Sequence, residues 1–188
     1  MDKNIHFIWI SRSSKAIPAL CLGFIDAWRK LHPGYTIKIW GMQDITELND
    51  IILNAMIADP CLDMAQISNY ARLIIVERCG GLYADIDTKP IRSFHDLLAT
   101  CRTMMFGLTM TCKCELNLFY ADKGSQVLRL FIANFTSPRR ANAYDWITPD
   151  IMALCTVLPP EAFHAYHITQ KSYSIHWPHR LGSWFGVG

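Results

Sequence analysis

Residues 77–90 read ERCGGLYADIDTKP, Glu77 to Pro90. Gly80 and Gly81 end whatever helix precedes them, because glycine accepts the left-handed conformation that a helix C-cap needs. The next six residues alternate. In a strand, Leu82, Ala84 and Ile86 point one way and Tyr83, Asp85 and Asp87 the other. Pro90 is expected to stop the pairing. The stretch is therefore read as the end of a helix, a tight cap and a strand that carries two carboxylates on one side.

Upstream, residues 63–79 give the clearest helical signal. Asp63 and Gln66 fit an N-terminal capping box. Met64, Ile67, Ala71, Ile74 and Ile75 recur at helical spacing on one face. Asn69 and Arg72 lie three apart on a different face. Further out, Asn4–Ile10 reads as a buried first strand, Pro18–Lys30 as a helix and Tyr35–Trp40 as a second strand, with a turn at Pro33 and Gly34. Strand, helix, strand predicts a βαβ unit and an α/β fold. Downstream, TMMFGLTM (103–110) and LNLFYA (116–121) read as strands and Gly124–Phe135 as an amphipathic helix. Residues 145–157 read as helical, YSIHW (173–177) as a last short strand and LGSWFGVG (181–188) as a loop or tail.

With 188 residues, one domain spanning 1–188 is the default. Apolar residues make up 51% and charged residues 18%, a balance that suits a packed core and argues against disorder. The formal net charge of +2, with no basic run, gives no sign of a nucleic-acid partner. Seven scattered cysteines and no export signal at MDKNIHFIWI predict reduced thiols and a cytoplasmic protein. No apolar run approaches the roughly 20 residues of a bilayer span, which leaves peripheral contact as the mode of any membrane attachment.

Adjacent carboxylates repel, and desolvating one alone costs several kcal/mol. Exposure, protonation of one, or a bound cation relieves this. One Asp-x-Asp is expected by chance in roughly this length, so the surroundings must decide. Here the other face of the run is apolar, which favours a cation. Carboxylate oxygens suit Mg²⁺ or Mn²⁺, which complete their shells with water and phosphate oxygens. A diphosphate-bearing substrate follows.

The stretch ISNYARLIIVERCGGLYADID (67–87) resembles the DXD-containing sugar transferases that include the yeast initiating α-mannosyltransferase and capsule-type transferases, and more distantly the glucosylating clostridial toxins. IHFIWIS (5–11), AWRKLHPGYTIKIW (27–40) and IHWPHRLGSW (175–184) agree in order. The resemblance implies a single-domain, GT-A-like nucleotide-sugar-binding α/β fold with a mostly parallel central sheet. It also implies a metal-dependent hexosyltransferase that retains configuration. The donor would be a UDP- or GDP-linked sugar, the cofactor Mn²⁺ or Mg²⁺, and the acceptor a glycan such as a bacterial surface polysaccharide, ahead of a protein.

Carried over by residue, Trp9 would stack on the base, although it also fits a core tryptophan. Arg72 would contact the sugar or its phosphates; the alternative is a surface ion pair. Tyr83 and Asp85 would touch the sugar or ribose, and Asp87 would bind the metal, with Asp85 beside it. His176, Ser183 and Trp184 would close over the diphosphate and help hold the metal; packing beside Pro178 is the other reading of His176. Asn69 stands where the family has Asp. On the helix alone this leaves Arg72 without its carboxylate partner and bears on donor choice and activity. Thr148, Pro149 and Asp150 replace the family's Thr-Gly-Pro.

Other readings of the same residues are a catalytically weakened nucleotide-sugar-binding protein and a toxin-like transferase that modifies a host protein. Two further ones are weaker. A haloacid-dehalogenase-type phosphatase needs Asp-x-Asp-x-Thr, but Thr88 falls one position early and the motif there follows the first strand. A zinc module could draw on Cys112, Cys114, His164 and His167, at poor ligand spacing.

Overall fold

The computed structural model describes residues 1–101, 103–108, 114–135, 147–163 and 170–176. Along the chain these form β1 (Asn4–Ile8), α1 (Ala19–Leu31), β2 (Thr36–Trp40), α2 (Met42–Thr46), α3 (Ile51–Ala58), α4 (Met64–Cys79), β3 (Gly81–Ala84) and β4 (Thr88–Pro90). There follow α5 (His95–Ala99), β5 (Met104–Leu108), β6 (Cys114–Ala121), α6 (Gln126–Ala133), α7 (Pro149–Ala153), β7 (Thr156–Leu158), α8 (Pro160–Phe163) and β8 (Ser174–His176).

Six strands make one sheet in the order β2-β1-β3-β6-β5-β7. Pairing is parallel between β1 and β2, β1 and β3, and β5 and β7; β6 alone runs against its neighbours β3 and β5. The sheet is thus mostly parallel, as expected. Such a sheet is buried on both faces. One core joins it to α3, α4 and α6 around Leu53, Ile67, Ile75 and Phe131. The other joins it to α1, α5 and α8 around Ile25, Trp28, Leu98 and Phe163. After β2 the chain crosses over to place β3 on the far side of β1. Open α/β sheets bind ligands at such a switch point, in the crevice outside the carboxyl ends of the strands.

The capping box of α4 is present: Asp63 Oδ1 accepts from the Gln66 N–H at 2.7 Å, and Gln66 Oε1 accepts from the Asp63 N–H at 2.9 Å. Gly80 (φ 66°) ends the helix, and Gly81 (φ 113°) brings the backbone so close to β1 that a Cβ there would lie 2.5 Å from the Asn4 carbonyl oxygen. The periodicity predicts one apolar face. Instead every residue from Ile67 to Val76 except Asn69 is buried, because the sheet, α3 and α6 cover the helix on several sides. His6 ties the neighbouring elements together. Its Nδ1 accepts from the Trp40 indole N–H at 3.2 Å, so Nε2 donates to the Gly80 carbonyl at 2.9 Å.

Three local expectations differ. The strand does not run through Asp87: β3 ends at Ala84, and the Thr88 N–H bonds the Asp85 carbonyl at 2.9 Å to close a turn. Pro90 does not stop pairing but lies in β4, opposite Ser174 of β8. Its missing N–H is tolerated because this separate ladder has only two strands, both of them edges. Within 145–157, helix covers only Pro149–Ala153, capped by Thr148; β-branched Thr156 and Val157 then enter the sheet edge as β7.

Candidate active site

The site forms where β1 and β3 end. Asp85 follows β3, and its N–H bonds the Asn117 carbonyl of β6 at 2.7 Å. The turn after it folds Asp87 back beside Asp85. His176 comes from β8, which pairs with β4 so that His176 faces Thr88. His176 Nε2 lies 3.2 Å from Asp87 Oδ1 and 3.7 Å from Asp85 Oδ2. One ligand atom from each of the three residues falls within 4.8 Å of the others. A divalent ion about 2.1 Å from each ligand sets neighbouring ligands about 3 Å apart and opposite ones about 4.2 Å apart. The observed separations of 3.2 and 3.7 Å lie in that window, and two carboxylates with one imidazole are a fitting donor set. Among the described residues this is the one such group.

Arg72 backs the carboxylates from α4. It is 7% exposed. Nη2 lies 3.2 Å from Asp85 Oδ1, Nη1 donates to the Leu116 carbonyl at 2.8 Å, Nε donates to the Ser68 carbonyl at 3.3 Å, and the guanidinium sits 4.8 Å from the Tyr83 ring centroid. Its carboxylate partner is therefore Asp85 from the following strand, not a residue of its own helix, and it is no surface ion pair. Tyr83 donates its hydroxyl to Asp85 Oδ1 at 2.8 Å. Asn69 is half-buried on the same helix.

The charges are tightly balanced. Burial raises the Asp85 carboxyl above its usual range, against the pull of Arg72 and His176; the Asp87 charge adds to the rise and the Tyr83 hydroxyl opposes it. Burial also pushes the Tyr83 phenol far up. For His176, burial works against charge. Its hydrogen bond to Asp87 and the Asp85, Asp87 and Glu115 carboxylates outweigh that and hold its pKa above the ordinary value. A metal ligand must be the neutral imidazole, so metal binding at His176 is coupled to its deprotonation.

Trp9 lies just past β1, half-buried rather than sealed in the core, with its indole N–H on the Lys15 carbonyl at 2.7 Å. Ser183 and Trp184 lie outside the described residues, as do Cys112, His164 and His167 of the zinc reading. The six described cysteines are free thiols. The aspartates follow the third strand of the chain, not the first as the phosphatase reading requires.

The sequence reading passed over Asn117. Continuing the Ala84–Leu118 register places it opposite Asp85, and cross-strand partners share a face. Asn117 is 4% exposed, and neither of its amide atoms has a hydrogen-bond partner. Buried polar groups are seldom left so. The signal available was one amide within the apolar run LNLFYA.

The architecture is an α/β fold of the GT-A type. The chain is similar to a solved structure described as "PaToxG Glycosyltransferase", at 19% identity and a TM-score of 0.57 over 80% of this chain and 66% of that one. It is also similar to a "glycosyltransferase involved in the glycosylation of the major capsid of PBCV-1", at 12% identity and a TM-score of 0.54 over 92% of each chain. At such identities the likeness is one of fold, and the chain spans just under two thirds of the first structure's length. Residues 18–103 match the family described as "Glycosyltransferase sugar-binding region containing DXD motif". No curated protein matches significantly. The matched region is a DXD-containing sugar-binding region, and the fold is shared with solved glycosyltransferases. Among the described residues no helix is long and apolar enough to cross a membrane.

Proposed function

We propose that residues 1–188 form one catalytic domain that moves a sugar, with retention of configuration, from a UDP- or GDP-linked donor to a glycan hydroxyl in the cytoplasm, with Mn²⁺ as cofactor. The observation that carries this reading is the convergence of Asp85, Asp87 and His176 within 4.8 Å at the sheet's switch point. The mixed oxygen and nitrogen set favours Mn²⁺ over Mg²⁺, which prefers all-oxygen shells. When bound, the ion would act as a Lewis acid on the departing diphosphate.

The chain's own residues do the rest. Asp85, Asp87 and His176 would hold the ion. Arg72 opposes the rise that burial gives the Asp85 pKa and, with Tyr83, fixes the carboxylate's orientation. Trp9 receives the base; base–aromatic stacking contributes roughly 1–3 kcal/mol. Asn69 and Asn117 present amides to the sugar hydroxyls. By the resemblance, Ser183 and Trp184, which lie outside the described residues, would close over the diphosphate. Retention follows from the resemblance. A front-face route, in which the leaving phosphate oxygen takes the acceptor's proton, needs no enzymic nucleophile.

The test is a thermal-shift screen of UDP- and GDP-sugars with and without Mn²⁺, followed by transfer assays on oligosaccharide and protein acceptors. A donor at about 100 times its Kd should add roughly 2.7 kcal/mol. Asp87→Asn removes a ligand charge but no core volume, so it should lose Mn²⁺-dependent donor binding and keep the fold. Equal Mn²⁺-dependent donor affinity in variant and parent would refute the assignment. Donor binding without hydrolysis or transfer would favour a weakened binding protein.

A further inference from the structure

We infer that Arg92 is a positioning residue for the metal site: it pins the register of the segment that carries His176. This rests on the metal-binding reading above. His176 is far from the two aspartates in the chain and reaches them on a strand of three residues, in a ladder separate from the main sheet. Three paired positions specify register weakly, and a slip of one residue would turn His176 to the opposite face.

Arg92 lies just past β4 and reads the partner segment at two points. Its Nε donates to the Ser172 carbonyl at 2.9 Å and its Nη2 donates to the Gln170 carbonyl. The guanidinium also lies 4.9 Å from the ring centroid of Tyr173. Both carbonyls lie in the stretch that leads into β8, so one planar fork that engages the two together fixes where that strand begins. A lysine ammonium has no such geometry. The neighbouring backbone extends the clamp: the Ile91 N–H bonds the Tyr173 carbonyl and the Tyr173 N–H bonds the Ala162 carbonyl, each at 2.8 Å. The ladder itself is fastened to the core through the Trp28 indole N–H, which donates to the Thr88 carbonyl at 2.9 Å. Arg92 thus links the strand leaving Asp87 to the strand that brings His176.

The experiment measures Mn²⁺ binding by EPR, without nucleotide, for the parent, Arg92→Ala, Arg92→Lys, His176→Ala and the Arg92→Ala/His176→Ala double variant. Partners that orient metal ligands typically matter 10–100-fold in affinity, so Arg92→Ala should lose roughly that factor, and Arg92→Lys should recover little of it. The double variant should bind no more weakly than His176→Ala alone, since Arg92 acts through His176. Parent-like binding by folded Arg92→Ala, or a full extra loss in the double variant, overturns the inference while the metal site stands if His176→Ala weakens binding. A parent that binds no Mn²⁺ overturns both. Should Arg92→Ala fail to fold, Arg92→Lys carries the same comparisons.

Discussion

Arg72→Met keeps most of the side chain's length and removes its charge from the centre of the site. The Asp85 carboxylate loses its cation and the Leu116 carbonyl its side-chain donor, while the Ser68 carbonyl, inside α4, loses only an additional one. Breaking a buried ion pair by removing one partner typically costs 3–5 kcal/mol. The Asp85 side chain keeps 24% exposure and the Tyr83 hydroxyl, which puts the expected cost near the lower end, about 3 kcal/mol. In a chain of this size that is a fall in Tm of roughly 6–12 °C. The assay is urea and thermal unfolding in EDTA at pH 7.5 and at lower pH. Burial already raises the Asp85 pKa, and losing Arg72 removes the strongest opposing pull. A neutral carboxyl needs no cation, so the deficit should be fully present above the variant's Asp85 pKa and shrink as pH falls through it. Arg72→Met/Asp85→Asn should be more stable than the sum of the single changes by about 1–2 kcal/mol. A Tm within 2 °C of the parent at pH 7.5, or strict additivity in the double variant, would show that the pair does not hold the site together.

Four further outcomes are expected. Trp9→Ala should weaken nucleotide binding and Trp9→Phe should retain most of it; normal binding by both, measured calorimetrically on folded protein, excludes stacking. Asn69→Asp sets a second carboxylate on the helix beside Arg72 and should change preference among sugars on one nucleotide several-fold, as one hydrogen bond would; an unchanged ranking in competition assays means this face does not read the sugar. Asn117→Ala removes an amide with no partner to lose, so urea midpoints should hold while donor affinity falls; a stable variant with parental affinity removes Asn117 from the site. His32 is buried and neutral, its Nε2 accepting from the Phe94 N–H at 2.9 Å; burial lowers its pKa against the Trp28 carbonyl bond. Its stabilisation is present above the ordinary value near 6.5 and is lost as pH falls below it, so unfolding free energy should drop less steeply from pH 7.5 to 5.5 in His32→Gln than in the parent. Parallel slopes would contradict this.

Much of this protein can be read from local sequence. The α4 capping box, the Gly80–Gly81 stop and the apolar β3 rest on contacts between near neighbours, so composition and spacing determine them. The Asp-x-Asp pair in apolar surroundings already pointed to a cation. What tertiary structure alone decided was direction and partnership. The alternation of β3 predicted Asp87 one step further along a strand. A turn instead folds it back, and whether a strand continues depends on the neighbour it can pair with. The helix alone left Arg72 without a carboxylate, whereas the fold supplies Asp85. Asn117 entered through the β3–β6 register, and His176, named from the resemblance, reaches the aspartates through a ladder built from distant parts of the chain. Such long-range pairings close large loops, and residue spacing carries no signal for them.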